Sequence, residues 1–287
     1  MVQTAEAKQV CRAASTVLFP ELEFGVKPCG KYTREDFLEI LSRIAFDQEF
    51  ANTGGKTLQL DRDEHVDITA TARNSLAKSL LYHLRNLSPD AITDQFDGVR
   101  DRLFEVLRSQ RRLPAFVDVA IDLHEWRFYG SADTDHVTIT YPDLGTNKAF
   151  CFATLCIVAP RTRFTLAVVP MDANGFRAKR EAVRSLLETA KQYVSIRHVY
   201  LDRGFYQVHV VAELDVDSST ANAYAAAFRR RWGIETSYRQ LGDFLPRTSS
   251  PTFSVRLFYF LFAVSLYNLW VLANVLVNLS LRNPPQP

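Results

Sequence analysis

The spacing of apolar residues along the chain changes once. Up to residue 112 it follows a 3.6-residue period, which predicts amphipathic helices. Phe37, Ile40, Leu41, Ile44 and Ala45 form one such stripe, started by Thr33 as N-cap with Asp36 as its reciprocal acid. Asn52–Lys56 (NTGGK) reads as a loop. A second helix is expected over Thr69–Leu87, with Leu76, Leu80, Leu81 and Leu84 facing inward. Ser88-Pro89-Asp90 is a helix start: cap, proline in the first turn, acid beside the positive helix end. The helix that follows carries Ile92, Phe96, Val99, Leu103, Val106 and Leu107. A further short helix fits Ala5–Leu18.

After Leu113-Pro114 the period drops to two. Phe116–Asp122 reads as a buried strand ending in acid, and Val137–Tyr141 as a short strand. Phe150–Val158 and Phe164–Val169 read as a hairpin joined by residues 159–162. Ala178–Val194 is helical, with Val183, Leu186, Leu187, Ala190 and Val194 on one side. His198–Asp202 is a second strand ending in acid. A strand, an antiparallel pair, then a helix crossing to another strand describes an α/β sheet flanked by helices. The expected organisation is an all-helical N-terminal domain over 1–112, a mixed domain over 113–281 and a disordered tail over 282–287.

The most informative stretch is Phe228–Phe244, FRRRWGIETSYRQLGDF, which reads as one amphipathic helix. Ile234, Tyr238, Leu241 and Leu245 lie on its apolar face. Arg231, Glu235 and Arg239 follow each other at i, i+4 and stack on a neighbouring face. Such a ladder is commonly a surface ion-pair row. Its sharper meaning is a metal-binding carboxylate beside phosphate-gripping arginines. Asp122 and Asp202 supply the other acids, since α/β sheets place ligand chemistry beyond the carboxyl ends of strands. Magnesium takes oxygen ligands, and two such ions suit phosphodiester chemistry. Asp118 shares a strand face with Asp122 and competes for the first position from deeper in the run.

Composition narrows this little. The chain has 287 residues, is 47% hydrophobic and 23% charged, and carries a net charge of +2. There is thus no global basic field, only the local clusters Arg108/Arg111/Arg112 and Arg229–Arg231, which suit a groove along a phosphate backbone. Cys11, Cys29, Cys151 and Cys156 show neither zinc-finger spacing nor a disulfide framework, which fits a reducing compartment. The first fifteen residues lack an apolar secretory core. Leu257–Leu281 is apolar enough to span a membrane, yet Asn268, Asn274, Asn278 and the flanking Arg256 favour a core helix. Trp126, Tyr129 and Trp232 are candidates for stacking on a base, Trp232 foremost for its place beside Glu235. His124, two residues after Asp122, is a candidate neighbour of the acids.

Ala120-Ile121-Asp122, Leu201-Asp202-Arg203-Gly204-Phe205 and Arg231-Trp232-Gly233-Ile234-Glu235 together resemble the three acid motifs of DDE insertion-sequence transposases. The nearest pattern is the Tyr-x2-Arg-x3-Glu-x6-Lys group, in its archaeal branch. Arg231 and Glu235 match it, whereas Phe228 and Gly242 replace its tyrosine and lysine. Asn268-Leu269-Trp270 also fits. The resemblance covers about residues 114–277 and implies an RNase H-like mixed sheet with flanking helices. It implies catalysis by Asp122, Asp202 and Glu235 holding two Mg2+ ions, for which Mn2+ substitutes, and DNA contacts by Arg203, Arg231, Trp232 and Arg239. It implies transposon-end inverted-repeat DNA and target DNA as partners, a homodimer on DNA, no membrane, and a cytoplasmic, nucleoid-associated location. Asp202 and Glu235 are 33 positions apart, so the strand-rich insertion of relatives is absent and the copy reads as internally shortened. Phe205–Leu214 reads as a helix, with a strand as the alternative. Another RNase H-like nuclease, or a decayed transposase that only binds DNA, are the other readings.

Overall fold

The structure, a computed structural model, describes Val10 and residues 12–62, 75–111, 113–159, 162–172, 176–202, 205 and 240–282. In these residues the regular elements before residue 110 are helical. After the short turns Ala14–Leu18 and Phe19–Glu21 come α1 (Arg34–Phe46), α2 (Ala51–Asp61), α3 (Leu76–Asn86) and α4 (Pro89–Ser109). Then follow β1 (Phe116–Arg127), β2 (Thr138–Asp143), β3 (Thr146–Ile157), β4 (Thr165–Met171), α5 (Phe176–Lys191), β5 (Ser195–Leu201) and α6 (Phe253–Arg282). The fold is therefore mixed α/β, with a mixed sheet and flanking helices. The chain divides into two compact units, residues 1–102 with 240–269, and residues 103–239 with 270–287. Both α4 and α6 contribute to each unit.

In the first unit the helix starts follow local chemistry. Thr33 and Asp36 form the capping box, and Ser88 Oγ accepts from the Ala91 amide at 3.1 Å. Ser75 is extended and caps α3 through the Lys78 amide, so that helix begins at Leu76; the part of the expected helix over 69–74 lies outside the described residues. Leu76, Leu80 and Leu84 are buried on it, while Leu81 is only half-buried.

The stretch Asn52–Lys56 is not a loop but lies inside α2. Its glycines permit close helix packing. A Cβ on Gly54 would come within 2.3 Å of Ile44 Cγ2, and one on Gly55 within 3.1 Å of Ile40 Cδ1. The low helix propensity of two glycines is offset by the approach of α2 to the Ile40/Ile44 stripe of α1.

Helix α6 is long and apolar enough to cross a membrane, but 94% of its apolar window is buried within the protein. Tyr259, Phe260, Phe262 and Tyr267 are almost wholly enclosed. Arg256 and Asn268 are buried too, and the Arg256 Nε donates to the Ser250 carbonyl at 2.8 Å. Burial pushes the Arg256 pKa down to about 10. These are the features of a core helix.

The second unit is built on a five-stranded sheet in the order β2-β3-β1-β5, with β4 also paired to β3. The long β3 takes β2 at its start and β4 further along, while β1 lies antiparallel on its other side. Among the described strands only β1 and β5 are parallel, and α5 supplies the crossover that such a pair needs. Val117 to Ile121 are all buried, as befits a strand flanked by partners and covered on both faces. Strand β1 does not end at Asp122, as its sequence suggests, but continues to Arg127 because β3 keeps pairing with it. The β2–β3 hairpin turns at Leu144 and Gly145, both at positive φ, as a two-residue turn requires.

Helix α5 packs on β4 and β3. It buries Val183, Leu186, Leu187 and Ala190. After it, Phe104 of α4 lies against Tyr193 with ring centroids 4.7 Å apart, and Arg108 donates to the Gln192 carbonyl at 3.0 Å. Arg108 is thus engaged in packing, not displayed for a phosphate backbone. Of the other basic-cluster residues, Arg112 and Arg229–Arg231 lie outside the described residues.

Replacing Gly54 by alanine should lower stability by about 1–3 kcal/mol, the cost of overpacking, although alanine is the better helix former. Ile44→Ala should cost less stability in the Gly54→Ala chain than in the wild type, because it removes the atoms that the new methyl meets. Denaturant unfolding of the three variants checks this.

Candidate active site

Strand β5 ends at Leu201, which is paired with Ile121 of β1. The Asp202 amide donates to the Ile121 carbonyl at 3.2 Å. Asp122 and Asp202 are thus the next residues in the register of two neighbouring parallel strands. Parallel neighbours in register present side chains on the same face, about 4.8 Å apart at the backbone. Two of the sequence-derived acids therefore meet at the place where parallel pairing stops. Both are half-buried. The Asp122 carboxylate accepts from the Leu123 amide at 2.8 Å, which keeps one oxygen turned along the strand.

That face of the sheet has a small packed base. Ala120, Cys156 and Tyr200 form a buried cluster beneath the acids, with Val158 against it. Thr154 is the cross-strand partner of Asp122 and is buried. Burial pushes the Cys156 thiol up to about 12, helped by the nearby Asp122 charge, so the thiol stays protonated and inert. His124 follows on the same face, opposite Phe152. Desolvation pushes its imidazole down to about 4, so the ring is neutral at physiological pH. Helix α5 lies on the other face. Cys151, which alternation places there, feels the charges of Lys179, Glu125 and Arg127, and its thiol is also pushed up, to about 11, mainly by burial.

Asp118, the competitor for the first acid position, is committed elsewhere. Arg197 donates to it through Nε and Nη2, both at 2.9 Å, and His198 Nδ1 lies 2.9 Å from the same carboxylate. The carboxylate is 5% exposed, against 55% for Arg197 and 47% for His198. The Arg197 hydrogen bonds outweigh burial and hold its carboxyl below the usual range, with His198 helping. A carboxylate saturated in this way is not a metal ligand. Neither Arg197 nor His198 was singled out in the sequence. The available signal was an Arg-His pair beside a strand whose one buried acid needs a partner.

The third acid, Glu235, lies outside the described residues, as do Arg203, Arg231, Trp232 and Arg239. The same holds for residues 206–214, on which the helix-or-strand question fell. Among the described residues no three His, Cys, Asp or Glu side chains gather as a metal site. What the described part holds is two of the three expected acids, at the ends of neighbouring paired segments. Two accessible carboxylates side by side offer only oxygen donors, which fits magnesium and disfavours softer metals. Trp126 is half-buried on β1. Tyr129 is exposed and donates its hydroxyl proton to the Leu144 carbonyl at 3.1 Å. A cleft of about 530 Å3 borders Tyr129 and the 142–148 hairpin turn, at the other end of β3 from the acids.

No family model matches the chain, and neither a curated protein nor a solved structure matches it.

Because its folded pKa is depressed, Asp118 stabilises the fold at neutral pH, and that contribution is lost as pH falls below about 4. Asp118→Asn should lower neutral-pH stability by about 1–3 kcal/mol and flatten the decline below pH 4. Urea unfolding at pH 7, 4 and 3 reads both effects.

Proposed function

We propose that the chain is a DNA transposase of the DDE type, with an RNase H-like catalytic domain, acting on transposon ends by metal-dependent phosphodiester chemistry. The observation that carries the reading is the placement of Asp122 and Asp202 at one point of one sheet face. Two carboxylates 80 residues apart in sequence become neighbours there. Chance surface acids have no reason to meet where parallel pairing ends, which is where such sheets hold ligands. The strand order lends further support. A central strand bears the first acid, an antiparallel meander lies on one side, and a parallel strand with the second acid lies on the other.

In this reading Asp122, Asp202 and Glu235 hold two magnesium ions, which when bound activate the attacking oxygen and stabilise the leaving one. The chain's own part is to fix two carboxylates on rigid neighbouring strands above a dry base of Ala120, Cys156 and Tyr200. The Arg231, Glu235, Arg239 row would put guanidinium groups next to the third acid, where bidentate phosphate contacts orient the scissile strand. The neutral His124 adds no positive charge to compete with a cation. The DNA partners are the transposon-end inverted repeats and the target duplex.

Glu235→Gln and Asp202→Asn should each reduce magnesium-dependent nicking of end DNA by more than the roughly 100-fold that losing an outer-shell partner costs. Binding of the same DNA should persist, with affinity falling as salt rises. Retained nicking in either variant refutes the assignment. Joining of a pre-cut 3′ end to a target duplex separates a transposase from a plain nuclease.

A further inference from the structure

The parallel pair β1–β5 contains one irregularity. Val117 faces Ile196, but Asp118 faces His198, so Arg197 is an extra residue bulged out of β5. From there the pairing runs Val119 with Val199, Ala120 with Tyr200 and Ile121 with Leu201, which brings Asp202 beside Asp122. Without the bulge every later partner would shift by one. Ile121 would face Tyr200, Asp122 would face Leu201, and Asp202 would fall opposite Leu123, on the other face of the sheet. Side chains alternate, so a one-residue slip reverses the face of all of them.

The hydrophobic pattern of β5 does not decide between the two registers. Ile196, Val199 and Leu201 are half-buried on one side and Tyr200 is buried on the other, so both faces are apolar. A slip would exchange one set of apolar contacts for another. Polar contacts do discriminate. Asp118 is 6% exposed, its backbone carbonyl is held by the Val158 amide at 2.8 Å, and its carboxylate cannot follow a moving β5. That carboxylate takes the bulged Arg197 bidentately and His198 as well. Consecutive strand residues normally point to opposite faces. Both can reach a single carboxylate because the bulge turns Arg197 back toward it.

We propose that Asp118 is a positioning residue: by clamping Arg197 and His198 it fixes the bulge, and so sets the register that puts Asp202 next to Asp122. The functional meaning of this clamp rests on reading that acid pair as a shared ligand site, but the register itself does not.

The test is cross-strand backbone NMR contacts in the full chain. The wild type should show Ile121 against Leu201. Asp118→Ala should move that contact by one residue, to Ile121 against Tyr200. Deleting Arg197 in the Asp118→Ala chain removes the extra residue, so the Ile121–Leu201 contact should return. Nicking activity, where the wild type has it, should be lost in Asp118→Ala and regained in the double variant. A lost carboxylate with a merely structural role would not be repaired by a deletion. If Asp118→Ala keeps Ile121 against Leu201, the clamp does not set the register. If Asp118→Ala fails to fold and deleting Arg197 does not restore the wild-type contact, the clamp serves stability alone, and the proposal falls. If it fails to fold and the deletion restores that contact, the proposal stands. Should the wild type show the contacts but no metal-dependent nicking, the functional reading fails and the register assignment is untouched.

Discussion

The candidate site depends on how two parallel strands are aligned. Parallel pairing is slightly less stable per residue than antiparallel, and among the described strands it is found in one pair at one side of the sheet. Strand β3 is joined to β2 and β4 by local hairpins, and β1 pairs with it continuously from Val119 to Arg127. Strand β5 arrives after a 16-residue helix and has no turn to fix its register. It must be aligned by contacts made on arrival. The buried carboxylate of Asp118 offers a direction-sensitive contact at that junction.

This arrangement couples a stability feature to a chemical one. A buried acid with solvent-reaching partners adds modest stability, because Arg197 and His198 surrender hydration that they only partly recover. Its larger consequence is specificity of pairing. The acids of the site sit one turn of the pleat beyond the end of β5, where the backbone is still held by the Asp202 amide and the carboxylates reach solvent. Below them lies the packed cluster of Ala120, Cys156 and Tyr200. Rigid support and open access thus lie within two residues of each other along each strand.

The first unit illustrates a different use of sequence. Gly54 and Gly55 resemble a loop when read by propensity alone, and they sit inside a helix because helix packing needed two missing side chains. The same override appears in α6, whose composition passes for a membrane span. Its aromatic side chains are enclosed by the protein, and Arg256 is drawn into the interior with them. Composition reports how apolar a segment is; it does not report what the segment is buried against.

Much of the architecture was already present in one-dimensional pattern. The 3.6-to-2 change of period near residue 113, the caps at Thr33 and Ser88, and the starts of the strands around residues 116 and 196 all depend on residues a few positions apart. Such signals survive any tertiary arrangement. The pairing of Asp122 with Asp202, the extension of β1 to Arg127, and the use of Asp118 as a clamp were settled by contacts between segments far apart in the chain. A carboxylate's type is written in the sequence, but its role is set by what reaches it, and Arg197 reaches Asp118 only through a bulge that no local pattern announces.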